Sequence, residues 1–182
     1  MAYREVLALP GVTPLVSLSL VARVPASAAA ITLTLHVVLT LELGYAAAGA
    51  VGAASTIGMA IGAPLLGRLV DRSGLRMMLT VTICAGSVFW ALAPYLSYPA
   101  LLVGAFLGGL LSFPVYSIIR QALAAAVPEA RRRPAFALDS MSVEVSYIIG
   151  PAAGSLLVVT LSSTVAMWCI GAGWVLSGLA FA

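Results

Sequence analysis

A chain of 182 residues that is 62% hydrophobic and only 8% charged, with a formal net charge of +3, does not read as a water-soluble domain. Soluble domains are about one-quarter charged and use that charge to cover their surface. A leader ahead of a soluble domain fits no better. The apolar runs continue along the whole chain, and Arg23 stands just before the small residues Ala26, Ser27 and Ala28, where a leader would still be apolar.

Lipid is therefore the expected solvent, and a bilayer core of about 30 Å needs about 20 apolar helical residues per crossing. Charges and turn formers divide the chain into six such pieces, at about 13–39, 44–67, 77–94, 99–119, 135–159 and 165–182. The first is interrupted by Arg23. Pro94, Ser97, Pro99 and the interfacial Tyr95 and Tyr98 separate the third from the fourth. The expected fold is an all-α membrane protein in which residues 1–182 form one six-helix bundle.

All nine basic residues are Arg. The connections after spans two and four carry Arg68, Arg72, Arg76, Arg120, Arg131, Arg132 and Arg133, and Arg4 precedes span one. The connections after spans one, three and five carry only Glu42. The positive-inside rule then predicts a multi-pass protein of the inner (plasma) membrane, with its N-terminus in the cytoplasm. The absence of Lys and the abundance of Ala and Gly suggest a GC-rich bacterial genome. Gly58 and Gly62, Gly104 and Gly108, and Gly150 and Gly154 are spaced to let helix backbones approach closely, with Pro151 inside the third pair.

Arg23 and Glu144 each lie about ten residues into a span, at a depth of about 15 Å. A charge there costs at least about 2.5–3.5 kcal/mol and so faces protein or water rather than lipid. Polar stripes accompany them. Ser19, Arg23, Ser27 and Thr34 share a face of span one; Ser140, Glu144, Tyr147, Pro151 and Ser155 share one of span five; Ser112, Tyr116 and Arg120 recur at four-residue spacing. The three stripes predict a wet central cavity. Asp139 is read as a first-turn residue that suits the helix dipole. His36 is read as an interfacial polar residue, with pH sensing as the alternative. Cys84 and Cys169 are read as small buried apolar side chains.

Four of the fifteen charges crowd into one short run, Gly67 to Leu79, "GRLVDRSGLRMML". This run resembles the loop between the second and third helices of the major facilitator superfamily, whose pattern is Gly-x-Leu-Ala-Asp-Arg-x-Gly-Arg-Arg/Lys-x-x-Leu. It matches at Gly67, Leu69, Asp71, Arg72, Gly74, Arg76 and Leu79 and departs at Leu75. The stretch Gly150-Pro151-Ala152-Ala153-Gly154 is similar to the Gly-Pro-x-x-Gly-Gly motif of the antiporter branch, with Ser155 in place of the last Gly. The family's early Arg in span four has no counterpart between Tyr98 and Leu110, so no proton-coupling role is carried over for it.

The resemblance implies a secondary carrier of small molecules, and the chain looks like the N-terminal six-helix half of it, made of two three-helix inverted repeats. The expected partners are then a small-molecule substrate, protons, the lipid bilayer and a second six-helix half in cis or in trans. The expected mechanism is proton-coupled export by alternating access. In the family, the residues matching Asp71 and Arg72 help form a cytoplasmic latch against the other half, with Gly67, Gly74 and Arg76 shaping the loop. A plain topology anchor is the alternative. Helices one and five are neighbours in that fold, which would pair Arg23 with Glu144; Glu144 would then bind a proton or a cationic group, with Tyr116 and Tyr147 nearby. The runner-up is a non-transporting fragment, or a half-transporter that depends on a partner. No phosphate-binding loop, HExxH or GxSxG occurs, so an enzyme is not expected, and neither is a cofactor, a metal or a nucleic-acid partner.

Overall fold

The computed structural model describes residues 2–181, and the secondary structure among them is helical throughout. A short helix α1 (Ala2–Leu7) turns at Gly11 into α2 (Val12–Leu35), followed by a π turn at His36–Thr40. Then come α3 (Tyr45–Leu92), α4 (Tyr98–Leu110), α5 (Val115–Ala126), α6 (Arg132–Thr160) and α7 (Ser163–Ala180). Five helical segments are long and apolar enough to cross a membrane: Val12–Thr40, Tyr45–Tyr95, Tyr98–Ala126, Glu129–Thr160 and Ser163–Ala180. The sixth expected span reaches residue 182, which lies outside the described residues.

The 48-residue α3 is not one rod. At Gly74 the backbone takes φ 81° and ψ 166°, far from helical values, and only glycine enters that region without strain. The packing shows the consequence. A Cβ at Gly58 would lie 2.8 Å from Leu110 N, and one at Gly108 would lie 3.1 Å from the Phe89 ring. Residues 58 and 89 would stand about 46 Å apart on a straight helix, yet both touch residues 104–110, a stretch of about 9 Å. The chain therefore reverses at Gly74, giving arms 45–73 and 75–92. The apolar clusters agree: Ala48 and Val51 are buried with Trp90 and Ala93 at one end, Leu66 with Met78 and Leu79 at the other.

Apolar contact alone cannot drive helix association in lipid, since the tails are as apolar as Leu; close packing does so instead. Gly58 and Gly62 face the backbone of α4 at Phe106 and Leu110, and Gly109 returns the contact at Ser55. Gly104 and Gly108 leave room for the Phe89 ring. Gly150 and Gly154 face α2 at Val24, Ser27 and Thr32. On α2 and α6 the contacting residue numbers rise together, so these two helices run parallel, and their interface is the most extensive in the fold.

One expected span is interrupted. Between α4 and α5 the helix breaks at residues 111–114. Pro114 has no N–H to donate and pushes Phe113 out of the helical region. Ser112 N–H bonds Gly109 O and Val115 N–H bonds Phe113 O, so the helical ladder lapses for one turn. The chain then continues as helix to Ala126, so Arg120, read as part of a connection, sits on α5.

Candidate functional site

The site grows from the α2–α6 interface. Arg23 projects from α2 and is fully buried. Its Nη2 donates to Asp139 Oδ1 at 2.7 Å and its Nη1 to Asp139 O at 3.4 Å. Side chains on a helix lean toward its N-terminus, and with α2 and α6 parallel this carries the guanidinium back to Asp139. Ser27, one turn on, donates to Ser146 O at 2.7 Å.

The expected partnership of Arg23 with Glu144 is therefore not the one found. Asp139 shares the α6 face of Ala135, Ser142, Ser146 and Gly150, all buried toward α2. Glu144 lies five residues further, about 140° round the helix at 3.6 residues per turn, and is exposed. Nor is Asp139 a first-turn residue. Pro134 is tolerated in the first turn, so α6 already begins at Arg132 and Asp139 falls at its eighth position. A first-turn dipole contact is replaced by a buried ion pair.

Aromatic rings extend the site across three helices. The Arg23 guanidinium lies over the Tyr116 ring of α5, 5.2 Å from its centroid. Tyr116 in turn stacks on Tyr147 of α6, with centroids 6.3 Å apart and planes inclined by 11°. Arg120, one turn along α5, lies over Phe136 at 5.2 Å. Cation–π contacts of this kind contribute about 0.5–2 kcal/mol, more where water is excluded.

A cavity of about 360 Å³ opens beside these groups, lined by Arg23, Tyr116, Ser117, Arg120, Asp139, Ser140, Val143 and Glu144. Four of its eight lining residues are charged, and only Arg23 and Asp139 neutralise each other. Among the described residues, Arg120 and Glu144 form no ion pair. Nε of Arg23 is buried without a hydrogen-bond partner. The structure thus brings together Arg23, Tyr116, Tyr147 and Glu144 near one cavity. It adds Arg120, set by the sequence on the polar stripe with Tyr116 but not named there as a site residue, and Asp139, read there as a first-turn residue. The four-residue step from Tyr116 to Arg120 was the available signal for the first; for Asp139 the signal was weak, because its role depends on where α6 begins.

The loop residues stand apart from this cavity. Gly67, Asp71, Arg72, Gly74 and Arg76 are all exposed, and among the described residues Asp71 makes no ion pair. Gly150, Pro151 and Gly154 belong to the α2–α6 contact and the turns around it. His36, expected at an interface, is instead fully buried, with Nδ1 2.9 Å from Ser163 Oγ. The contact joins the end of α2 to the first residue of α7, whereas Cys84 and Cys169, expected to be buried, are both exposed. Among the described residues, no group of His, Cys, Asp and Glu is placed to hold a metal.

No curated protein gives a significant match to the chain. A family model, described as Major Facilitator Superfamily, matches residues 15–182, which cover α2 through α7 together with both the exposed loop and the cavity. The chain belongs to the Major Facilitator Superfamily, a family of membrane transporters.

Proposed function

We propose that this chain is the N-terminal six-span bundle of a proton-coupled secondary carrier that exports a small molecule by alternating access. The reversal of α3 at Gly74 supports counting its two arms as separate spans, which makes six, arranged as two inverted three-helix repeats. The one-sided distribution of arginines supports a cytoplasmic N-terminus, and the lack of Lys with abundant Ala and Gly supports a bacterial source. Export follows the resemblance of Gly150 to Gly154 to the antiporter branch.

The observation that carries this reading is the charged cavity inside membrane-crossing helices. Ionisable groups at such depth mark substrate and ion pathways. In the proposed mechanism the Arg23–Asp139 pair is a fixed element that positions Tyr116 and Tyr147. Glu144 is the carboxylate free to exchange a proton against substrate. It lies on the α6 face away from α2, beside Tyr147, which is 54% exposed, and Ile148, which is 73% exposed. A carboxylate does not face lipid tails, so a second six-helix half covers that face and the cavity lies between the halves.

The test uses everted membrane vesicles with an imposed pH gradient and a panel of small amines and carboxylates. For the solutes that move, Glu144→Gln is expected to abolish gradient-driven uptake while exchange of saturating solute down its own gradient continues. Gradient-driven uptake at the wild-type rate in that variant overturns the coupling role.

Asp71 has a separate place in the proposal. The arginines around it satisfy the topology rule, to which an acidic residue contributes little. Its exposure and the absence of an ion pair to it among the described residues support a latch against the second half. Asp71→Asn is expected to lower the transport rate about fivefold or more, the low end of coupling between sites, with insertion and expression unchanged. Wild-type rates would reduce the loop to a topology anchor.

A further inference from the structure

We propose that the cavity takes a small zwitterion, its carboxylate held by Arg120 and its ammonium by Glu144. This rests on the reading of the cavity as the substrate site. Four charged side chains line the cavity. Arg23 and Asp139 bond each other at 2.7 Å and are both buried, so they offer no net charge to a ligand. Arg120 on α5 and Glu144 on α6 are exposed, line the cavity and form no ion pair with any described residue. What remains is one positive and one negative group on opposite helices of a site that is neutral as a whole. A ligand with a single charge would satisfy one and leave the other desolvated and unmatched, which is costly away from water. A ligand carrying both charges satisfies both.

Geometry sharpens the class. The Arg120 guanidinium sits 5.2 Å from the Phe136 ring. Glu144 is eight residues beyond Phe136, a rise of about 12 Å along α6. Backbone positions this far apart, on two helices lining one cavity, favour a ligand whose charges are set several bonds apart over an α-amino acid, where ammonium and carboxylate share one carbon. The volume of about 360 Å³ is near the lower end for ligand pockets, so the body is small. The Tyr116 ring, which lines the cavity with Tyr147 stacked on it, gives that body an apolar wall.

The experiment is equilibrium binding of labelled 6-aminohexanoate to the full chain in nanodiscs, without a proton gradient. Hexanoate, hexylamine and glycine serve as competitors. The zwitterion is expected to bind about tenfold or more tightly than hexanoate or hexylamine, as loss of one charge-assisted bond implies. Glycine, whose charges are too close, competes weakly. Arg120→Gln is expected to weaken 6-aminohexanoate about tenfold and to spare hexylamine, while Glu144→Gln spares hexanoate instead. Equal affinity for the singly charged analogues, glycine competing as well as 6-aminohexanoate, unchanged affinity in Arg120→Gln, or no saturable binding overturns the assignment. Should a variant fail to fold, the ligand panel on the native chain decides alone. Saturable hexylamine binding with no preference for the zwitterion sinks only this inference. A pH-driven flux indifferent to Glu144→Gln, with the zwitterion preference of the native chain intact, sinks only the coupling reading.

Discussion

Replacing Asp139 by Ala is expected to destabilise the bundle by about 3–5 kcal/mol, the cost of leaving a buried charge without its partner. Arg23 is fully buried and its only carboxylate partner among the described residues is Asp139. Its alternatives are poor. Nε already lacks a partner, and Glu144 lies round the helix on the exposed face. Snorkelling to the surface would require Arg23 to leave the Tyr116 ring, on which it sits at 5.2 Å. The midpoint of denaturant unfolding of the purified chain in detergent measures the loss. Arg23→Met combined with Asp139→Leu is expected to recover most of it, because two apolar side chains remove both desolvation costs together. Glu144→Ala serves as the contrast. That carboxylate is exposed and unpaired, so its loss should leave the midpoint nearly unchanged. An Asp139→Ala midpoint equal to wild type would mean that the ion pair does not hold α2 to α6.

The second large effect is expected at Gly150. A Cβ there would run into Ser27 Oγ and lie 2.8 Å from Val24 O, and a backbone carbonyl cannot move aside cheaply. Gly150→Ala should cost about 1–3 kcal/mol, as overpacking does in tight cores, and Gly150→Leu more. Gly154→Ala should cost less, because its nearest neighbour is the Thr32 hydroxyl at 2.9 Å, a side chain able to rotate. Gly67→Ala meets nothing within 4 Å and should be neutral or slightly stabilising, since Gly in a helix is unfavourable by about 0.5–1 kcal/mol against Ala. The same unfolding assay ranks the three. A Gly150→Ala variant as stable as wild type would remove backbone contact as the reason α2 and α6 pack so closely. Because Arg23 and Asp139 sit on these two helices, the loss at Gly150 should propagate to the cavity.

These two predictions also show where reading the sequence stops. The glycine spacing announced close helix contacts in general, but not that Gly150 meets Ser27 rather than some other span. A spacing of four residues fixes a face and leaves the partner open. Arg23 was conspicuous because a lone charge in an apolar run is costly anywhere in lipid. Its partner was not, because Asp139 and Glu144 are both acidic and five residues apart. Choosing between them needs the start of α6 and its register against α2. Arg120 was half legible, since its four-residue step from Tyr116 put it on the polar stripe. Charge placed it in a connection, whereas helix α5 continues past it to Ala126.

The sequence by itself determined the solvent, the helical class and the family. Those follow from local properties: the length of apolar runs, the placement of arginines, and a loop whose Gly74 permits a backbone no other residue adopts easily. Tertiary structure alone decided which charges cancel. Arg23 with Asp139, and Arg120 apart from Glu144, depend on the parallel register of α2 and α6 and on the break at Pro114. Electrostatic pairing falls off over a few ångströms, and separations that small are set only when the helices are packed.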